Sequence, residues 1–308
     1  MTDLDGLLRD IADEITGNAA KLEREADAKN PGAEPGPFGI AVATINGAVV
    51  CAGDTRTRFP IQSISKVFAL EVALCAIGDR VFERVGREPS GDPFNSIVEL
   101  ERTQGVPRNP FVNAGALVTV DMVAEHVGDA GERGAVVDLI AHQLEQDAVP
   151  FDQEVLDSEI TGGDLNRAML SLMKHHANLR SDPDLVLRRY VEQCAVSLDC
   201  AELARAGRFL AHTRYAPDEA RATRMRHLLA MMMTCGHYDA SGDFALRVGL
   251  PAKSGVGGGI LAIAPEVAAI AVWSPNLDQN GNSIQGVHAL EMLAARTGWS
   301  VFGPPRGG

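Results

Sequence analysis

Basic and aromatic side chains are scarce in this chain, and the scarcity sets limits before any motif is read. Lysine and arginine total 28 against 41 aspartates and glutamates, a net charge of −13. That balance repels phosphate backbones and anionic headgroups rather than gathering them, so no nucleic-acid or membrane partner is expected. No run approaches the roughly 20 apolar residues of a membrane span. The stretch from Met1 to Ile15 is Asp-rich and amphipathic, without the basic n-region and uninterrupted apolar core of a signal peptide, so a cytoplasmic location is expected. The five cysteines, Cys51, Cys75, Cys194, Cys200 and Cys235, are odd in number and scattered, with no C-x-x-C pair. They read as reduced thiols in or near the core, neither a disulfide framework nor a metal centre.

What remains is ordinary globular material. The chain has 308 residues, 45% hydrophobic and 22% charged, enough for two domains or one larger intertwined unit. The Pro/Gly break Ala33 to Pro37 precedes an apolar stretch over 38–44, and Asn46-Gly47 separates it from another near 48–52. An Asn-Gly pair between apolar, β-branched runs predicts a hairpin. At the far end, 259–264 and 267–273 flank Pro265-Glu266 as a second hairpin, followed by a helix over about 283–295. Between the ends the apolar period is helical, with Val67, Leu70, Leu74 and Ile77 closed by Gly78, and further helical windows near 114–127, 134–147, 165–177, 183–195, 200–211 and 219–234. Strands, helices, then strands predict an α+β fold: one antiparallel sheet built from both chain ends, with a helical lobe inserted. The sheet lobe is expected over about 33–62 and 249–308 and the helical lobe over about 63–248, together one domain spanning 1–308.

Chemistry concentrates in two places. Ser63 and Lys66 stand three apart at the start of a predicted helix, hence on one face. A serine hydroxyl needs a base to become a nucleophile, and a desolvated lysine of lowered pKa can be that base, while free N–H groups at a helix start can support an oxyanion. The spacing alone is weak, because Ser171 and Lys174 repeat it mid-helix, where the N–H groups are already used. The second place is Lys253-Ser254-Gly255, leading into the C-terminal hairpin. K-[ST]-G on an edge strand accompanies S-x-x-K in β-lactamase-like serine acyl-transfer enzymes, and two of the chain's five lysines fall in these two places. A phosphate loop fits poorly: Ala252 precedes Lys253, and Ile260 breaks the G-x-G-x-x-G spacing.

With these residues in view, the chain resembles the serine-dependent glutaminases. The matching stretches are IQSISKVFAL from Ile61, EPSGDPFNSIVELE from Glu88, PRNPFVNAGAL from Pro107, DSEITGGDLNRA from Asp157, TCGHYDASGDFALRVGLPAKSGVGGGI from Thr234 and VWSPNLDQNGNS from Val272. The resemblance covers the chain from about Phe38 to His288. The resemblance implies a β-lactamase-like fold and hydrolysis of L-glutamine to L-glutamate and ammonia, without metal or organic cofactor, in a homo-oligomer (dimer or tetramer). It makes Ser63 the nucleophile and Lys66 its partner, and it sets Asn113, Glu159, Asn166 and Tyr190 at glutamine-binding positions. Tyr238 corresponds to a tyrosine beside the nucleophile. The backbone N–H of Val256 corresponds to one that joins that of Ser63 in the oxyanion hole. The residue types suit the ligand: a carboxylate such as Glu159 for the α-ammonium, amide and hydroxyl donors for the α-carboxylate and side-chain amide. Either Tyr238 or Lys66 can serve as general base.

One departure is visible. The family carries a substrate-contacting tyrosine upstream of the first hairpin, in a Tyr-Ile-Pro segment. Here no tyrosine occurs before Tyr190, and the best alignment puts Leu22 at that position.

Overall fold

A computed structural model describes residues 3–91, 96–127, 134–213 and 218–303, apart from the side chains of 159–162. The chain forms two compact units, one of Met1–Phe59 with Leu198–Gly308, the other of Pro60–Ser197. No helix among the described residues is long and apolar enough to cross a membrane.

The first unit is organised by its sheet. Strands β1 (Gly39–Thr44) and β2 (Val49–Gly53) form the N-terminal hairpin. Gly47 takes φ +93° in its turn, a conformation glycine adopts without steric cost and one reason Asn-Gly marks such hairpins. The short strands β3 (Phe59–Pro60) and β4 (Ser197–Leu198) lie where the chain leaves this unit and returns. Strands β5 (Ala252–Ser254), β6 (Gly259–Ala264) and β7 (Ala268–Trp273) follow. The sheet order is β2-β1-β7-β6-β5. Strand β1 pairs antiparallel with β7, Gly39 opposite Trp273 and Thr44 opposite Ala268, so the two ends of the chain meet at the sheet's centre.

Strands β1, β7 and β6 are buried almost throughout, and their near-continuous Ala, Ile and Val is what burial on both faces demands. On one face Ile40, Val42, Ile260, Ile270 and Val272 share a core with Leu8, Ile11 and Ile15 of the helix Leu4–Glu25 and with Leu290 and Leu293 of the helix Ile284–Thr297. The first of these helices is capped by Asp3, whose side chain accepts from the Gly6 N–H at 3.1 Å. The helix Cys200–Gly207 packs against β1, β7 and β6. At its end a Cβ on Gly207 would come within 2.6 Å of Leu261 Cδ1.

Residues 198–248, which helical period alone groups with the inserted lobe, pack with the sheet. The reason is contact: period identifies a helix but not the surface it covers, and these helices cover strands. The inserted unit is the shorter span 60–197.

In that unit the helix Ser65–Ile77 is buried on nearly all sides along its first ten residues, the signature of a central helix. It packs against the helix Asn113–Val127 and ends at Gly78, φ +59°. The helices Ala135–Leu144, Gln153–Gly162, Asp164–His175 and Pro183–Ala195 complete the layer. A buried ionic network ties it together. The Arg84 guanidinium bonds Asp121, reaches Glu125 at 3.1 Å and donates to the Asn178 carbonyl at 2.7 Å. Asp121 also accepts the backbone N–H groups of Arg180 and Ser181, at 3.1 and 2.6 Å. Arg84→Met should lower stability by about 3–5 kcal/mol, because it leaves the wholly buried Asp121 carboxylate without its counter-charge. Urea unfolding of the two proteins measures the difference.

Candidate active site

Each unit carries part of the constellation named from the sequence. In the inserted unit Ser63 lies in a 3₁₀ turn, Gln62–Ile64, that runs into the helix beginning at Ser65. Gln62 stands at φ +47°, a left-handed backbone that a non-glycine residue holds at a cost of order 1–3 kcal/mol and that clusters at functional sites. One turn on, Lys66 is 1% exposed. Its ammonium donates to the Phe111 carbonyl at 3.1 Å and to Asn113 Oδ1 at 2.7 Å, and lies 6.0 Å from the centre of the Tyr190 ring. The Tyr190 hydroxyl donates to the same Asn113 oxygen at 3.3 Å. Lys66, one helical turn from Ser63, and Tyr190 thus converge on the Asn113 oxygen. With its oxygen taken by two donors, Asn113 has its Nδ2 hydrogens to offer a ligand.

The segment that presents these acceptors is itself built. Asn109 Oδ1 accepts the N–H groups of Phe111 and Val112 at 2.9 and 3.1 Å, and its Nδ2 donates to the Glu88 carbonyl at 2.9 Å. Asn109 was not singled out from the sequence, although Asn-Pro in PRNPFVNAG is a turn-initiating pair. Asn166 is buried on the first turn of the helix Asp164–His175. Glu159 belongs to the helix Gln153–Gly162, and its side chain lies outside the described residues. The second S-x-x-K match, Ser171 with Lys174, is on the solvent face of its helix.

In the sheet unit Tyr238 opens a short 3₁₀ turn with φ +53°. Ser241 fixes that turn: its hydroxyl accepts the His237 N–H at 3.0 Å and donates to the Tyr238 carbonyl at 2.9 Å. The Tyr238 hydroxyl donates to the Ser254 carbonyl at 3.3 Å. Lys253, fully buried on β5, donates to that same carbonyl at 2.6 Å and to Gly236 O at 3.0 Å, its ammonium 4.3 Å from the centre of the Tyr238 ring. His237 stacks on Phe244 with ring centroids 3.6 Å apart. Burial, and secondarily the Lys253 charge, push its pKa well below the usual histidine value, so the imidazole is neutral at pH 7.

Strand β5 is an edge strand, paired only with β6, as the K-[ST]-G pattern requires. Val256 follows in the turn, 38% exposed. There the Gly255 N–H reaches Gly259 O at 2.9 Å and the Gly258 N–H reaches Gly255 O at 3.0 Å. Among the described residues the Val256 N–H has no backbone acceptor. Leu22 packs against the sheet core.

A family model described as Glutaminase matches residues 31–302. The chain belongs to the glutaminase family. A glutaminase of Methylobacterium radiotolerans is 47% identical to it over 311 residues, covering 98% of this chain and 100% of that one. Among solved structures, a Bacillus glutaminase determined in 4.3 M NaCl shares 31% identity at a TM-score of 0.83, over 97% of this chain and 100% of its own. A Bacillus subtilis glutaminase in covalent complex with 5-oxo-L-norleucine, formed by reaction with 6-diazo-5-oxo-L-norleucine, shares 28% identity at a TM-score of 0.80, over 97% and 100% of the two chains. The mixed α/β architecture with an antiparallel sheet is the β-lactamase-like fold of these glutaminases.

For this glutaminase the Asn113 oxygen is a structural acceptor for a buried ammonium. Asn113→Ala should therefore cost about 1.5–3 kcal/mol in urea unfolding, the usual worth of a hydrogen bond to a charged group. Adding Lys66→Met should recover most of that loss, because it removes the buried charge the deletion strands.

Proposed function

We infer that this glutaminase hydrolyses L-glutamine to L-glutamate and ammonia through a glutamyl ester on Ser63. The observation that carries the reading is the joining of Ser63, at a helix start, to a lysine buried one turn away and held by Phe111 O and Asn113 Oδ1. A lysine amine in its uncharged form is able to take a proton. Either that amine or the Tyr238 oxygen accepts the Ser63 proton as Oγ attacks the side-chain amide carbon. The two backbone N–H groups assigned to the resulting oxyanion are those of Ser63 and Val256. The base returns its proton to the departing nitrogen, and ammonia leaves. Water then attacks the ester by the same steps in reverse, releasing glutamate and Ser63.

Glutamine is held, in this reading, by Glu159 on its α-ammonium and by Asn113 Nδ2, Asn166, Tyr190 and Tyr238 on its carboxylate and amide. The covalent adduct of the Bacillus subtilis relative supports a nucleophile that captures glutamine-like electrophiles. We assign the protein to the cytoplasm as a homo-oligomer, dimer or tetramer; light scattering on the purified chain tests the assembly.

Ser63→Ala should abolish ammonia release, while Ser171→Ala stays within a few-fold of wild type. 6-Diazo-5-oxo-L-norleucine should label Ser63 in peptide mass spectra. Equal losses in the two serine variants, or an adduct on a cysteine, would overturn the assignment. Glu159→Gln should lower kcat/KM roughly 10- to 150-fold, the worth of one charged hydrogen-bond partner. Steady-state kinetics check it, and an unchanged value would mean that the ammonium is held elsewhere.

A further inference from the structure

Behind Tyr238 and Val256 runs a loop, residues 276–283, joining β7 to the helix Ile284–Thr297. Its crest is Gly281 at φ +89°, so close to both residues that a Cβ there would stand 3.3 Å from Val256 Cγ1 and 3.7 Å from Tyr238 Cε2. The loop is closed on itself by Asp278. Its N–H donates to Asn282 O at 2.9 Å, its Oδ1 accepts the Asn282 N–H at 2.8 Å, and its carbonyl accepts the Gly281 N–H at 3.0 Å.

The N-terminal segment holds this loop from the other side. The Lys29 N–H donates to Leu277 O at 2.8 Å and the Gln279 N–H to Asp27 O at 2.9 Å. The Glu23 carboxylate spans the loop's two ends. Its Oε2 accepts from Asn276 Nδ2 at 2.6 Å and its Oε1 from Gln285 Nε2 at 2.8 Å, Gln285 being fully buried. An ionised acceptor gripping two amides is stronger and more directional than neutral contacts. Glu23 follows Leu22 directly, in the segment where the family carries its tyrosine.

We propose that Glu23 is a positioning residue for hydrolysis, clamping the loop whose crest sets Tyr238 and the Val256 turn. This rests on the reading of Tyr238 and Val256 as site residues. A displacement of the loop is transmitted because the space between Gly281 and these two side chains holds no more than a methyl group.

The test is steady-state kinetics and thermal unfolding of full-length variants. Glu23→Ala should lower kcat about 10-fold with KM within about twofold, since misplaced catalytic groups cost rate rather than uniform binding. Glu23→Gln, keeping one acceptor, should recover part of that rate. Glu14→Ala is the control: Glu14 pairs with Arg296 and ties the same two helices together, so its loss should lower the melting temperature without changing kcat. Gly281→Ala, which strains the loop crest at φ +89° and sets a Cβ 3.3 Å from Val256 Cγ1, should reproduce the kcat loss, and with Glu23→Gln it decides the matter if Glu23→Ala does not fold. Wild-type kcat in Glu23→Ala, or an equal kcat loss in Glu14→Ala, would overturn the clamp. Full activity in Tyr238→Phe would overturn the reading of Tyr238 and, with it, this route. Lost activity in Tyr238→Phe beside wild-type activity in Glu23→Ala would overturn the clamp alone.

Discussion

Two lysine ammonium groups taken out of water set the terms for the site in both units. Transferring such a charge to the interior costs several kcal/mol unless oxygens are held ready for it. Lys66 is met by Phe111 O and Asn113 Oδ1, and Lys253 by Gly236 O and Ser254 O. Each set of acceptors needs a rigid carrier. Asn109 fixes the turn before the helix Asn113–Val127. Gly236 approaches so near β5 that a Cβ would stand 1.7 Å from Ala252 O, which only glycine permits. Much of the local architecture follows from solvating two cations with protein oxygen.

Two positions of the proposed site also carry backbone strain. Gln62 beside Ser63, and Tyr238 itself, are non-glycine residues at φ +47° and φ +53°. Left-handed conformations of this kind persist only where surroundings over-determine them. The surroundings here are identifiable: the buried helix start at Ser65 in one case, the Ser241 bridge in the other. What is spent on strain fixes where a hydroxyl points.

Much of this was legible from sequence where local chemistry and period agree. Asn46-Gly47 and Pro265-Glu266 mark the two hairpins to within about a residue, and the S-x-x-K spacing lands on a 3₁₀ turn that runs into a helix start. Legibility fails where the deciding term is a long-range contact. The short helices Ile97–Arg102, Gln153–Gly162 and Ser241–Arg247 give too few turns for a period to emerge. The stretch from Met1 to Ile15 reads as amphipathic, but neither the full helix Leu4–Glu25 nor the sheet that its face covers is legible there. The grouping of residues 198–248 with the strands, the service of Asn109 and the reach of Glu23 to Asn276 and Gln285 depend on partners far along the chain, which no local pattern announces.

The pairing of β1 with β7 has a consequence for how the protein is made. During synthesis β1 and its hairpin partner leave the ribosome early, yet the other edge of β1 waits for residues 268–273. The whole inserted unit, residues 60–197, emerges in the interval. That unit is contiguous, with its own buried helix and ionic network. The N-terminal hairpin meanwhile presents an unpaired apolar edge for the time needed to translate some two hundred residues, on the order of 10–40 s at about 5–20 residues per second. An unpaired strand edge is a template for edge-to-edge association, so the stage at which nascent chains are open to it is set by the spacing of β1 and β7 along the chain.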